Sequence, residues 1–434
     1  MLTSTYKHWL LLFLFILIGS LPPILVGIGG LSYSIGVTVI NFTLLLLSFR
    51  SFKKIEKIKS KTVIIFFSVI IYLLVQHFFV GLWSTKSYFS LLPLALLLIA
   101  AYYCSFEINR FDAKCIQRAI HHAFWTLSAI GIINILLNFT IGQYFGYING
   151  KPMFPFLEPS HFALFYGLFF FAYFSVCGSN SKKIIATSIV LLISATTPST
   201  TSLAYAILAI AILVISIRGK SRIFLFPPLV ASAIFSLGFI VSNSYFLDRL
   251  NFTGTVNNAT TLVYLQGIDD AKNSLHLTKG IGLGFQMLGT QPPSAYADEI
   301  SILLGSTDGE LNRQDGGFLA AKLISELGYF GALLIFFYLI MFFHAIVRVI
   351  NYSPLCKDER YHKEAVASGV VIAFSVEIFG RGIGYFSPGV LIFLIALFYL
   401  PKFNKKLSGS RRQYRMPRPP QITISHQDKN FNNQ

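Results

Sequence analysis

Apolar residues in this chain run in blocks of about 20 with scarcely a charge inside them, and a helix of that length matches the roughly 30 Å hydrocarbon core of a bilayer. No other feature limits the possible folds as strongly. Hydrophobic residues make up 54% of the 434 and charged residues 12%, about half the charge density of a soluble domain. A water-soluble globule is excluded. The expected fold is an all-α polytopic integral membrane protein with twelve spans, at 9–28, 31–49, 62–80, 88–103, 119–139, 161–177, 184–197, 201–217, 223–242, 329–347, 366–380 and 388–400. Residues 1–400 form one transmembrane domain in this reading, with no room for a separate soluble catalytic domain.

The formal net charge is +17, and the position of the basic residues decides its meaning. With the N-terminus inside, the inner segments hold 27 of the 35 Lys and Arg, including the run Arg50 to Lys61 and eight in the tail. The outer loops hold Lys86, Lys151, Arg249, Lys272, Lys279, Arg313 and Arg381. This is the positive-inside pattern, so both termini are expected in the cytoplasm. The charge then reports topology and attraction to anionic lipid, and nucleic acid drops out as a partner.

Cys104, Cys115, Cys177 and Cys356 all fall at or near inner ends, where thiols stay reduced, so no disulfide framework is expected. The first apolar block after Lys7 lacks a small-x-small cleavage pattern and reads as an uncleaved span. Residues 401–434, with Arg411, Arg412, Arg415 and Arg418, read as a basic, disordered cytoplasmic arm.

Chemistry is therefore sought in the outward segments. The longest, 243–316, has 74 residues and lies between the ninth and tenth spans; connections of that length are usually functional. Within it, 261–275 has helical apolar spacing suited to the membrane interface. GIGLGF at 280–285 departs from GxGxxG at Phe285 and reads as a tight loop. His276 is either a base or an incidental polar residue. Glu158-Pro159-Ser160-His161 stands at the outer mouth of the sixth span, after an aromatic-rich loop with Tyr144, Phe145, Tyr147, Phe154 and Phe156. Pro159 pre-sets a helix start, so Glu158 either caps it or serves as a catalytic or sugar-binding carboxylate.

Hydroxyls in the run 195–202 either satisfy backbone groups at a helical hairpin or bind sugar. Lys322 and Glu326, four apart, can pair on one helix face, and so can Glu377 and Arg381. Arg313, just outside the membrane, has the guanidinium geometry for clamping phosphate oxygens. Charged residues at membrane depth, such as Glu377 and Arg381, mark function by default. No outer cluster has the ligand spacing of a metal site.

In their order and shared sidedness, FLEPSHFALFYG (156–167), the segment 262–289, RQDGGFLAAKLISELGYFG (313–331) and EIFGRGIGYFSPG (377–389) resemble the O-antigen polymerase family, which is related to the O-antigen ligases. The likeness covers most of the chain by topology. It implies an inverting, metal-independent glycosyltransferase without cofactor at the periplasmic face of the bacterial inner membrane, joining oligosaccharide repeat units carried on undecaprenyl pyrophosphate. The implied roles fall on Glu158 or His276 as proton acceptor and on Arg313 and Arg381 as stabilisers of the pyrophosphate leaving group. Arg249, Tyr385, His161, Asp315 and Glu377 are expected to contact substrate. A chain-length regulator and a flippase are the implied partners.

Ligases place a His-Asn type pair ahead of a Gly-xx-Gly, whereas Gly317 and Phe318 stand at those positions before Gly328 and Gly331. This departure favours polymerase over ligase. A lipid or polysaccharide transporter is the competing class, and it calls for internal repeats and charged or broken helices at the bilayer midplane. The sequence contains no such repeat, and its charges gather at the outer rim.

Overall fold

The computed structural model describes residues 4–52, 60–80, 84–137, 153–197, 199–216, parts of 227–242, 243–250, 258–305, 313–351 and 359–399. The basic tail, the ninth predicted span for the most part, Cys356 and the aromatic residues Tyr144, Phe145 and Tyr147 lie outside the described residues. The protein is all-α among the described residues, where one isolated bridge, Met153 to Phe156, is the extent of β pairing. Among the described residues, five helices are long and apolar enough to cross a membrane.

The helices run in the order α1 (Ser4–Gly29), α2 (Tyr33–Phe52), α3 (Ser60–Val80), α4 (Thr85–Arg110), α5 (Ala113–Leu137), α6 (Pro159–Val176), α7 (Asn180–Thr196) and α8 (Thr200–Ser216). Then come α9 (Ser244–Leu250), α10 (Ala259–Leu277), α11 (Ala295–Leu304), α12 (Leu319–Asn351), α13 (Glu359–Phe379) and α14 (Pro388–Tyr399). Apart from 223–242, every predicted block falls on one of these helices. The stretch 243–316 carries α9, α10 and α11, and α10 covers the predicted helical segment 261–275. It packs against α12 and buries Thr261, Leu262, Gln266, Gly267, Asp270, Ala271 and Ser274.

The core is built around α6. Its sequence is apolar on every side, and such a helix must be surrounded. Every residue from Phe162 to Val176 is buried, enclosed by α5, α7, α8, α13 and α14. A Cβ at Gly369 of α13 would fall 2.3 Å from the Phe171 carbonyl, so the two backbones meet as closely as a small residue allows. The outward faces carry large exposed apolar side chains, among them Phe67 and Phe78 of α3 and Phe336 and Phe343 of α12. In water such a surface would aggregate; against lipid tails it costs nothing.

One helix is broken. At Gly328 of α12 the backbone leaves the helix with φ 61° and ψ −137°, which explains why the predicted span begins at 329 while the helix starts at Leu319. Carbonyls released at the break find partners elsewhere. Leu283 N–H donates to the Ser325 carbonyl at 2.9 Å, and the Ser274 hydroxyl donates to the same oxygen. Gly284 N–H and Gln76 Nε2 reach the Glu326 carbonyl at 2.9 and 2.6 Å, and Tyr72 reaches that of Leu327 at 3.3 Å. Tyr329 N–H closes the join on the Gly280 carbonyl at 2.9 Å. GIGLGF is thus the segment that repairs the break.

Gly328→Ala tests this join, because its Cβ would lie 2.0 Å from the Gly280 carbonyl oxygen at a left-handed φ. Left-handed strain alone costs about 1–2 kcal/mol, so thermal unfolding in detergent should show a marked fall in melting temperature. Gly238→Ala, in open space, should show none.

Candidate active site

Three segments far apart in sequence meet at the N-terminus of α6. Glu158 precedes Pro159, which supplies the fixed φ of a first helical residue. Glu158 has extended backbone and its side chain makes no capping hydrogen bond, so the capping reading is set aside. Its carboxylate turns instead to the segment after α13, where Arg381 Nη2 donates to Glu158 Oε1 at 2.6 Å. The Ser160 hydroxyl donates to the same oxygen, and His161 Nε2 lies 3.3 Å from it. The ring of Tyr33, from α2, sits against His161 with centroids 5.6 Å apart. His161 Nδ1 is buried and has no hydrogen-bond partner.

Arg249 of α9 is the second guanidinium of the cluster. It lies 3.8 Å above the ring of Tyr245, one helical turn earlier, and also donates to the Tyr245 hydroxyl. Its carbonyl receives a hydrogen bond from Thr261 of α10 at 3.0 Å. The charges of Glu158 and Arg381 both act on it, and its buried Nε is unpartnered. Burial alone would push the Glu158 carboxyl up, but Arg381, His161 and Ser160 outweigh burial and hold it below the usual carboxylate range. The side chains of Arg381 and Glu158 are 33% and 38% exposed, so the pair is open to an incoming anion.

The expected Glu377–Arg381 helical pair does not form. Helix α13 ends at Phe379, and the Arg381 amide bonds back to the Val376 carbonyl at 2.9 Å, which takes its side chain off the Glu377 face. Glu377 is 2% exposed and accepts from Ser387, so it is an internal strut. Lys322 and Glu326 also take separate partners. Lys322 Nζ donates to the Gln314 carbonyl at 2.6 Å, whereas the Glu326 carboxylate receives the amides of Gln286 at 2.9 Å and Leu288 at 3.2 Å. The buried ring of Tyr385 stacks on Phe285 at 5.3 Å, and its hydroxyl donates to the Lys322 carbonyl at 3.4 Å. Tyr385 thus braces the repaired break behind the cluster.

Arg313 is engaged by Gln291 and Asp270. Its guanidinium donates to the Gln291 carbonyl at 2.5 Å, and its charge acts on Asp270. Asp315 is exposed, with its charge felt at His161. The segment carrying these residues is tied to the cluster by Gly382 N–H, which donates to the Gly317 carbonyl at 3.1 Å. His276 is exposed at the far end of α10, fifteen residues from the Thr261 contact and thus about 22 Å along the helix. The structure does not bring it to Glu158. The hydroxyls of Thr196 and Thr197 donate to carbonyls of their own helix, at 2.8 and 2.6 Å, as expected for a hairpin. Tyr245 and Tyr33 are the members that sequence reading missed, as is Asp270 beside Arg313, whereas Ser160 was singled out only as part of the run 158–161. Tyr245 was findable, since it precedes Arg249 by four positions on a helix.

These features define an α-helical membrane protein with two arginines gathered about one half-open carboxylate at the end of its most buried helix. No protein-family model matches the chain, and no curated protein or solved structure matches it at a significant level.

Asp270 offers a titration test of the Arg313 side of the site. It is 4% exposed, and burial pushes its carboxyl up to about 6, against the opposing pull of Gln291 and Arg313. A raised carboxyl contributes stability that is fully present below the unfolded value of about 3.9 and is lost as pH rises through the folded value. The melting temperature of the wild type relative to Asp270→Asn should therefore fall between pH 4 and pH 6 and level off above. A flat difference across that window would contradict the burial of a titrating Asp270.

Proposed function

We propose that the chain is an O-antigen polymerase of the bacterial inner membrane, with twelve spans, both termini cytoplasmic and the Glu158–Arg381 cluster on the periplasmic face. One observation carries the reading: the residues that the family likeness implicates at 158, 249 and 381 converge on one accessible cluster at the mouth of a buried helix. Its substrates are oligosaccharide repeat units linked to undecaprenyl pyrophosphate. A terminal sugar hydroxyl of one unit attacks the anomeric carbon of another with inversion, and undecaprenyl pyrophosphate leaves. A diphosphate leaving group develops negative charge, and two guanidiniums positioned beforehand stabilise it without a metal. The donor's own diphosphate linkage supplies the driving force. A flippase and a chain-length regulator of the same route are the expected partners.

The cluster favours Arg249 and Arg381 over Arg313 as the leaving-group clamp and Glu158 over His276 as the proton acceptor. Arg313, Tyr385 and Glu377 act behind it by holding loops, and Asp315 and His161 flank it.

One observation favours the transporter reading, namely the broken helix α12 with Lys322 and Glu326 buried near the break. The position of the break weighs against it. The 23 residues from Tyr329 to Asn351 extend about 34 Å, enough by themselves to cross a hydrocarbon core of about 30 Å. Gly328 then lies at the rim and not at the midplane. An O-antigen ligase is the other related activity.

Lipopolysaccharide gels separate the three. A strain lacking the gene should make core carrying a single repeat unit and regain the ladder on complementation. Core without any repeat, beside accumulated lipid-linked polymer, would mean ligase; loss of both polymer and periplasmic lipid-linked units would mean transporter. Arg381→Ala should insert normally and yield no chain extension, and a normal ladder from that variant would overturn the role of Arg381.

A further inference from the structure

Glu158 Oε1 is surrounded as a phosphate oxygen would be. A guanidinium at 2.6 Å, a serine hydroxyl and an imidazole nitrogen at 3.3 Å converge on this one atom, a donor set that suits a phosphate oxygen as well as a carboxylate. The first turn of α6 begins at the next residue, and its free amides add positive potential. Arg249 Nε and His161 Nδ1 are buried with no hydrogen-bond partner, and the charge of Glu158 acts on both residues, so donor capacity is left that one carboxylate does not fill. With two arginines and one facing carboxylate, the cluster also holds more positive charge than Glu158 neutralises.

We propose that Glu158 occupies, in the resting protein, the place that a phosphate oxygen of a diphosphate-linked glycan takes on Arg381 and Arg249, and that the displaced carboxylate then receives the proton of the attacking hydroxyl. This rests on the glycosyl-transfer reading above. In the step itself, the acceptor hydroxyl oxygen forms a bond to the anomeric carbon. The bond from that carbon to the diphosphate oxygen breaks, and its electron pair leaves with the diphosphate, held by the two guanidiniums. The hydroxyl proton passes to Glu158 and from there to water.

Substrate binding in this scheme prepares the base. The charged and titratable groups acting on or acted on by Glu158 are Arg381 after α13, His161 on α6, and Tyr245 and Arg249 on α9, with Tyr33 of α2 against the His161 ring and Asp315 acting on His161 from the segment before α12. Once Arg381 turns to phosphate, burial is no longer outweighed and the Glu158 carboxyl moves up, toward the range in which it can hold a proton. A carboxylate permanently tied to Arg381 would be a poor acceptor.

The test is calorimetric titration of the full-length protein in lipid nanodiscs with inorganic pyrophosphate. Glu158→Gln removes the competing charge and should bind pyrophosphate about fivefold more tightly than wild type, the effect of a partly exposed charge-assisted pair, while making no polymer. Arg381→Ala should bind more weakly than both. Equal or weaker binding by a folded Glu158→Gln would overturn the proposal. Should that variant fail to fold, Glu158→Asp, with its shorter reach to Arg381, faces the same criterion. Tighter binding by Glu158→Gln in a protein whose deletion leaves the polysaccharide ladder intact would retain the exchange at Arg381 and remove only the polymerase reading.

Discussion

A backbone carbonyl buried in protein away from water must find a donor, because an unsatisfied one costs several kcal/mol. Three consecutive carbonyls face that cost where α12 breaks at Gly328, and the segments around the break are arranged to meet it. The amides of 283 and 284, the side chains of Gln76 and Tyr72, and the hydroxyl of Ser274 all point at this one place. Loop 280–289 is thereby fixed, and Glu326 holds its far end through the amides of Gln286 and Leu288. The buried carboxylate is held by these backbone donors while the charge of Lys322 also acts on it, and both offset its removal from water.

From this join the order passes to the cluster by short steps. Tyr385 stacks on Phe285 and reaches Lys322, whose ammonium holds the Gln314 carbonyl. Three residues on from Gly316, the chain starts α12, and the Gly317 carbonyl receives the amide of Gly382. Arg381 is therefore placed by a chain of ring, ammonium–carbonyl and backbone contacts before it meets Glu158. Glu158 arrives from the opposite direction, carried on α6, the best-packed helix of the core. Two supports, α6 and the segment after α13, deliver opposite charges to one half-open point.

Helix positions were legible in the sequence because a bilayer demands long apolar runs, which leave little ambiguity between Trp9 and Phe398. The region 243–316 was less so. Its helices are short, and α10 buries a face of Thr261, Gln266, Asp270 and Ser274, polar residues that periodicity assigns to solvent. The residues of the cluster were legible as types and not as partners. Spacing of four suggested Glu377 with Arg381, but helix α13 ends between them, and helical pairing rules cease at a helix end. The true partner, Glu158, lies 223 positions away, and no local pattern encodes a contact of that range. His276 was attractive by chemistry alone; the length of α10 removes it from Glu158. The break at Gly328 was half visible, since the apolar run starts at the very next residue while helix-forming sequence begins ten residues earlier.

The most direct measurement is reconstitution of the purified protein in nanodiscs with undecaprenyl-pyrophosphate-linked repeat units as the only carbohydrate. Glycan chains of two or more units, formed with stoichiometric release of undecaprenyl pyrophosphate and lost in Arg381→Ala, are the predicted result. Unchanged single units with wild-type protein, in a preparation whose folding is confirmed by thermal unfolding, would contradict glycosyl transfer at the Glu158–Arg381 cluster.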